Sequence, residues 1–142
     1  MYFLSLFGMH TIFLSYRFTG EDPSELDFIL SNMKSSLESV GHAVVCSFYL
    51  ENFFKQNRFD TDQIYTYMLE RQRECGVFMA FIKSEAKSKG MILESNRAVE
   101  LKQRYVLVHK KGLYLPEFHE RAPEKIEFFN YSELFNSLKK FH

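Results

Sequence analysis

Apolar and polar positions alternate in blocks along this chain, and the period inside each block separates strands from helices. Thr11-Ile12-Phe13-Leu14-Ser15-Tyr16 is a short run of β-forming residues that ends before the turn signal Gly20-Glu21-Asp22-Pro23, the pattern of a buried strand. From Asp22 the period changes. Leu26, Ile29, Leu30, Met33 and Leu37 recur at helical spacing, so one helix face is apolar until Gly41 stops it. Pro23 suits the first helical position, and Asp22 with Glu25 predicts a capping box for the unpaired backbone donors there. Ala43 to Phe48 is the second predicted strand. The aromatic and basic stretch from Tyr49 to Phe59 has no clear period and reads as a long functional loop or a short irregular helix. Asp60 or Thr61 caps a second helix carrying Ile64, Tyr67, Met68 and Arg71 on related faces, and Val77 to Ile82 is a third strand. After a Ser/Lys/Gly loop, Met91 to Lys102 reads as a helix, Tyr105 to His109 and Lys125 to Phe129 as strands four and five, and Ser132 to Leu138 as a closing helix.

Strands that alternate with helices are joined by right-handed crossovers, which build a parallel sheet covered on both faces. The expected fold is therefore α/β: a doubly wound, mostly parallel five-stranded sheet with helices on both faces, flavodoxin- or Rossmann-like. At 142 residues the chain holds one ordinary domain, placed at residues 11–142 behind an N-terminal extension over residues 1–10 with a second candidate start at Met9. Eighteen basic residues balance eighteen acidic ones, so no overall field draws the molecule to nucleic acid or to an anionic membrane. The apolar opening Met1 to Gly8 lacks a basic flank and is too short to span a bilayer, and a cytoplasmic location is expected. Cys46 and Cys75 lie in apolar runs without metal-ligand spacing and are read as buried free thiols.

In a doubly wound sheet ligands gather at the carboxyl ends of the strands, close to the point where strand order reverses. Ser15, Tyr16, Arg17 and Thr19 follow the first strand, and Lys83 to Gly90 follow the third. The second loop leads into a helix N-terminus, where free N–H groups and the helix dipole favour a phosphate or carboxylate, and Ser88 and Gly90 are small enough for close approach. Neither a Walker lysine-serine pair nor a GxGxxG run is present, which removes the nucleoside triphosphate and dinucleotide signatures. Glu94, four residues past Gly90, is able to point into the same crevice; by position alone it is equally an ordinary solvated glutamate near a positive helix end. Lys83, Lys87 and Lys89 form a local basic cluster that attracts a phosphate or simply solvates the loop. The five histidines have no metal spacing. Phe48, Tyr49, Phe53, Phe54 and Phe59 belong to the core, to a subunit contact or to the cover of a base.

Ile12 to Gly20, together with Ser88-Lys89-Gly90-Met91-Ile92-Leu93-Glu94 and the following Ala98, resembles the nucleoside 2-deoxyribosyltransferase family and its deoxynucleoside-monophosphate hydrolase relatives. The Ser-x-Gly-x-x-x-Glu element is the specific part. The resemblance implies that Glu94 is a nucleophile attacking the anomeric carbon of a 2-deoxyribose, and that Ser88 and Gly90 hold the sugar 5′ end or its phosphate. It further implies that Tyr16 contacts the sugar or base, that Arg17 assists with an anion, and that no cofactor or metal takes part. The implied partner is a nucleoside or nucleotide small molecule, and the implied assembly is a homo-oligomer, with a dimer as the first expectation. Two positions depart from the pattern. Gly76 stands where an aspartate usually precedes the third strand, with Glu74 and Glu85 as candidate substitutes, and Asn96 stands where a glycine usually follows the nucleophile. These departures keep open a second reading, a catalytically weak nucleotide-binding or signalling domain. A third compares Phe13 to Arg17 and Gly20 to Asp22 with Toll/interleukin-receptor-like domains, some of which cleave NAD.

Overall fold

The computed structural model describes residues 9–142. Five strands, Thr11–Ser15 (β1), Ala43–Val45 (β2), Val77–Ile82 (β3), Arg104–Lys110 (β4) and Glu124–Phe128 (β5), form one sheet in the order β2-β1-β3-β4-β5. Every neighbouring pair is parallel. The helices are Pro23–Glu38 (α1), Glu51–Gln56 (α2), Thr61–Arg73 (α3), Lys89–Glu100 (α4), Pro116–His119 (α5) and Tyr131–Leu138 (α6). This is the doubly wound, flavodoxin-like architecture that the block pattern predicts, and strand order reverses between β1 and β3.

Side chains of a strand point alternately to its two faces, and the core divides accordingly. Ile12, Leu14, Val77, Met79 and Phe81 pack with Leu26, Ile29, Leu30, Met33 and Leu37 of α1 and Leu134 and Leu138 of α6. Phe13, Phe78, Ala80 and Ile82 face the other way and pack with Met68 of α3, Met91 and Ala98 of α4, and Phe118 of α5. Both faces are covered, which explains why β3 reads as an unbroken apolar run with all six residues buried. Among the described residues no helix is long and apolar enough to cross a membrane, and both cysteines are free and buried.

The structure differs from the sequence reading at several boundaries, each for a local reason. β2 ends at Val45, and residues Ser47–Leu50 form a 3-10 turn that runs directly into α2, so the stretch from Tyr49 is mostly helical. Burial of Phe54 against Phe59 and Tyr67 draws that segment in, with ring centroids 5.5 and 5.6 Å from Phe54. No capping box forms at α1. Asp22 accepts from the Ser24 N–H at 3.3 Å, while Glu25 reaches the Lys83 ammonium instead. The box is found at α3, where Asp60 and Gln63 exchange bonds of 2.8 and 2.9 Å. α4 begins at Lys89, two residues before the expected Met91, because the Ser88 hydroxyl caps it by accepting from Met91 N–H at 3.2 Å. Of the extension placed at residues 1–10, residues 1–8 lie outside the described residues. His10 is part of the domain surface: its carbonyl accepts from Ala43 N–H at 2.9 Å and its N–H donates to His42 Nδ1 at 3.0 Å.

Candidate active site

The end of β1 and the start of α4 meet at the strand-order reversal. Ser15 closes β1 on the same face as Phe13, which turns it toward the α4 layer. α4 starts at its Ser88 cap, so Glu94 lies more than a turn inside the helix, on the side facing β1. The two elements are joined by one hydrogen bond: the Ser15 hydroxyl, on a residue only 1% exposed, donates to Glu94 Oε1 at 2.6 Å. That length is typical of a hydroxyl bound to an ionised carboxylate.

Around this pair lies a crevice of about 250 Å³. Its polar lining is supplied by Ser15, Tyr16, Thr19, Ser47, Ser88 and Glu94, and Gly90 lies on the α4 side. Phe18, 50% exposed, forms part of the wall and is backed by Phe48 at 6.4 Å. The Tyr16 and Ser47 hydroxyls are 3.1 Å apart, fixing the β1 and β2 sides relative to each other. Burial pushes the Glu94 carboxyl up to about 7, and the Ser15 hydrogen bond holds it from rising further. Burial also drives the Tyr16 phenol far above its ordinary value and the Cys46 thiol up to about 12, so both remain protonated. Among the described residues of the crevice lining, Glu94 is therefore the group that changes charge near neutral pH. A carboxylate tuned in this way inside a cleft has the character of a functional group.

Of the residues singled out by sequence, Tyr16, Ser88, Gly90 and Glu94 come together in this crevice. Arg17 does not join them. It is ion-paired with Glu21 and borders a separate cavity of about 20 Å³, on the other side of Ser88 and Met91. Lys83 and Lys87 are likewise occupied, by Glu21 and Glu25 and by Glu117 respectively. Gly76 precedes the amino end of β3, where its N–H donates to the Thr11 carbonyl, four residues before Ser15 on β1. Four strand residues span about 13 Å, so an aspartate at Gly76 would lie at the opposite end of the strands from Glu94. An aspartate side chain is too short to bridge that distance within this chain. Glu74 lies at that same remote end and pairs with Arg71, and Glu85 is on an exposed loop outside the crevice lining. Asn96 accepts a bond from Arg121, on the side of α4 away from the crevice. Ser15, Phe18, Thr19 and Ser47 also contribute to the lining, and none of their roles was assigned from sequence. Only the strand-end position of Ser15, Phe18 and Thr19 gave any signal, because the contacts themselves depend on packing across distant elements.

No protein-family model and no curated protein matches the sequence. Among solved structures, a CMP N-glycosidase of Clostridium botulinum aligns with a TM-score of 0.67 at 19% identity, over 92% of this chain and 99% of that one. A 2-deoxyribosyltransferase of Bacillus psychrosaccharolyticus aligns with a TM-score of 0.64 at 15% identity, over 89% and 90% of the two chains. A response regulator receiver domain of Clostridium thermocellum also aligns, with a TM-score of 0.51 at 14% identity over 92% and 94%. At these identities the likeness establishes a shared fold. The fold is shared by an N-glycosidase, a 2-deoxyribosyltransferase and a response regulator receiver domain, so function has to be argued from the site.

Proposed function

We propose that this protein breaks the N-glycosidic bond of 2-deoxynucleosides or their monophosphates, with Glu94 as nucleophile. The carrying observation is the Glu94 carboxylate, held by the buried Ser15 hydroxyl at the floor of a crevice at the strand-order reversal. In its ionised form Glu94 attacks C1′ of the sugar as the C1′–N bond breaks, and the bonding electrons leave with the base. The resulting glycosyl ester is opened at C1′ by water, which releases the sugar, or by a second base, which receives it; either regenerates the carboxylate. The negative charge of Glu94 also stabilises the oxocarbenium-like transition state. Ser88, Gly90 and the first N–H groups of α4 are suited to the sugar 5′ end or its phosphate, and Tyr16 and Phe18 to the sugar and base. The reading is supported by the CMP N-glycosidase and the 2-deoxyribosyltransferase that share the fold.

A second reading, binding without turnover, is favoured by one observation: among the described residues no second carboxylate and no lysine or arginine lines the crevice beside Glu94. Base release from the four common deoxynucleosides, their 5′-monophosphates and CMP, followed by chromatography with and without an acceptor base, separates the readings. Release by the wild type that Glu94→Gln abolishes supports the enzyme. Binding by calorimetry with no release supports the second reading, and release unaffected by Glu94→Gln removes Glu94 from the chemistry.

A further inference from the structure

α3 is a polar helix with two buried residues, Met68 and Gln72, and the glutamine is 0% exposed. A leucine or methionine would fill such a position without burying an amide, so what Gln72 bonds to is informative. Its Nε2 donates to the backbone carbonyl of Glu94 at 2.8 Å and to Gln103 Oε1 at 3.3 Å. Gln103 returns two bonds through its own Nε2, to the carbonyls of Gln72 at 2.7 Å and Cys75 at 2.8 Å. The Gln72 Oε1 is buried and has no partner among the described residues. Leaving a buried acceptor unpaired costs roughly 1–3 kcal/mol, which a purely packing role would not require.

The carbonyl chosen is the telling part. A carbonyl in the middle of a helix already accepts from the N–H four residues on, so Glu94 C=O has no need of a second donor for its own satisfaction. A bond from a neighbouring helix therefore fixes where that turn of α4 lies. The same turn projects the Glu94 side chain toward Ser15 on β1. We propose that Gln72, braced by Gln103, is a positioning residue that acts through the Glu94 backbone to hold its carboxylate against Ser15. This rests on the proposed role of Glu94 for its catalytic consequence, while the positioning itself is measurable without any reaction.

The test uses Gln72→Met, which keeps the volume and loses the donor, compared with Ser15→Ala and the double variant. The Glu94 ionisation midpoint is read by carboxyl carbon NMR, assigned by its loss in Glu94→Gln. A looser turn weakens the Ser15 bond, which favours the ionised form, so the midpoint in Gln72→Met rises by roughly half a unit or more. The double variant shifts no further than Ser15→Ala alone, because both changes act on one bond. In base release kcat falls roughly 10- to 100-fold with KM within about 2-fold of wild type, the signature of a misplaced nucleophile. Should Gln72→Met not fold, Gln72→Asn, one methylene short of the carbonyl, is read in the same way. An unchanged midpoint in a folded Gln72 variant, or a double variant whose shift is the sum of the two singles, overturns the proposal. Midpoint shifts without base release from any substrate uphold the positioning and overturn the proposed reaction instead.

Discussion

At the scale of single residues, the chemistry turns on whether Glu94 is ionised when substrate arrives. With its carboxyl pushed up to about 7, the attacking form is scarce at pH 5, about half populated at pH 7 and nearly complete at pH 9. Single-turnover base release is therefore expected to rise with pH through a midpoint near 7, and Ser15→Ala, which removes the bond favouring the charged form, moves that midpoint upward. A flat profile from pH 5 to 9 would mean that another group governs the chemical step. Gly90 gives a second residue-level prediction. A Cβ built there meets no atom closer than Ser88 Oγ at 3.8 Å, and no positive φ requires glycine, so the chain itself has room for alanine. Gly90→Ala should leave the melting temperature within a degree or two while raising KM at least about 10-fold, if the open space is where the sugar lies. An unchanged KM would place the sugar elsewhere. Neither Ser15 nor Gln72 could be assigned a role from sequence, because their bonds to Glu94 join residues 79 and 22 positions apart. Such contacts depend on sheet register and helix docking, whereas the Ser-x-Gly-x-x-x-Glu spacing is local and visible in the chain.

At the scale of elements, the loops framing the crevice are joined by an ion cluster. Glu21, whose side chain is 8% exposed, pairs with Arg17 on its own loop and with Lys83 after β3 at 2.7 Å; Lys83 also reaches Glu25 at 3.3 Å. This ties the β1–α1 connection to the β3–α4 connection, and so sets the spacing between the Tyr16 and Ser88 sides of the crevice. Glu21→Gln would leave two cations beside a neutral amide and is expected to destabilise the protein by about 2 kcal/mol in urea titration. It should also raise KM more than it lowers kcat, because Glu94 on α4 remains held by Ser15 and Gln72. A kcat loss exceeding the KM change would show the cluster reaching the nucleophile. The elements themselves were largely legible. Strand runs, the apolar face of α1 and the order of βα units all follow from periodicity, since burial on both sheet faces writes a simple pattern. What was not legible arose from tertiary competition: Lys83 drew Glu25 away from the α1 cap, and the Phe54 cluster drew an unpatterned stretch into a helix.

At the scale of the whole molecule, the same burial that tunes the crevice shapes stability against pH, and two opposing contributions make it testable. The Glu94 carboxyl sits higher in the fold than in the unfolded chain, so between about pH 4.5 and 7 the folded state retains a proton that the unfolded state releases. Stability from this source falls as pH rises through that window and is constant above it. The histidines act in the other direction. His109 is lowered chiefly by burial, and His10 by burial and then by the nearby Arg104 guanidinium. Below the unfolded value near 6.5 the unfolded chain therefore takes protons that the folded one refuses, and stability falls as pH falls. Between pH 4.5 and 6.5 the Glu94 contribution and the histidine contributions therefore have opposite signs. Glu94→Gln removes one side of this balance, so its stability should rise steadily with pH and level off near 7. The variant's advantage over wild type should be near zero at pH 4.5 and grow to about 1–3 kcal/mol by pH 8, allowing for solvent screening in the open crevice. Urea titrations of both proteins at pH 4.5, 5.5, 6.5, 7.5 and 8.5 measure that difference directly. A gap of constant size at every pH would show that the glutamine alters packing alone, and a gap that closes toward alkaline pH would reverse the sign assigned to Glu94. A gap that opens as described would mean that the fold gives up stability to hold this carboxylate partly desolvated in the crevice, a cost that packing alone gives no reason to bear.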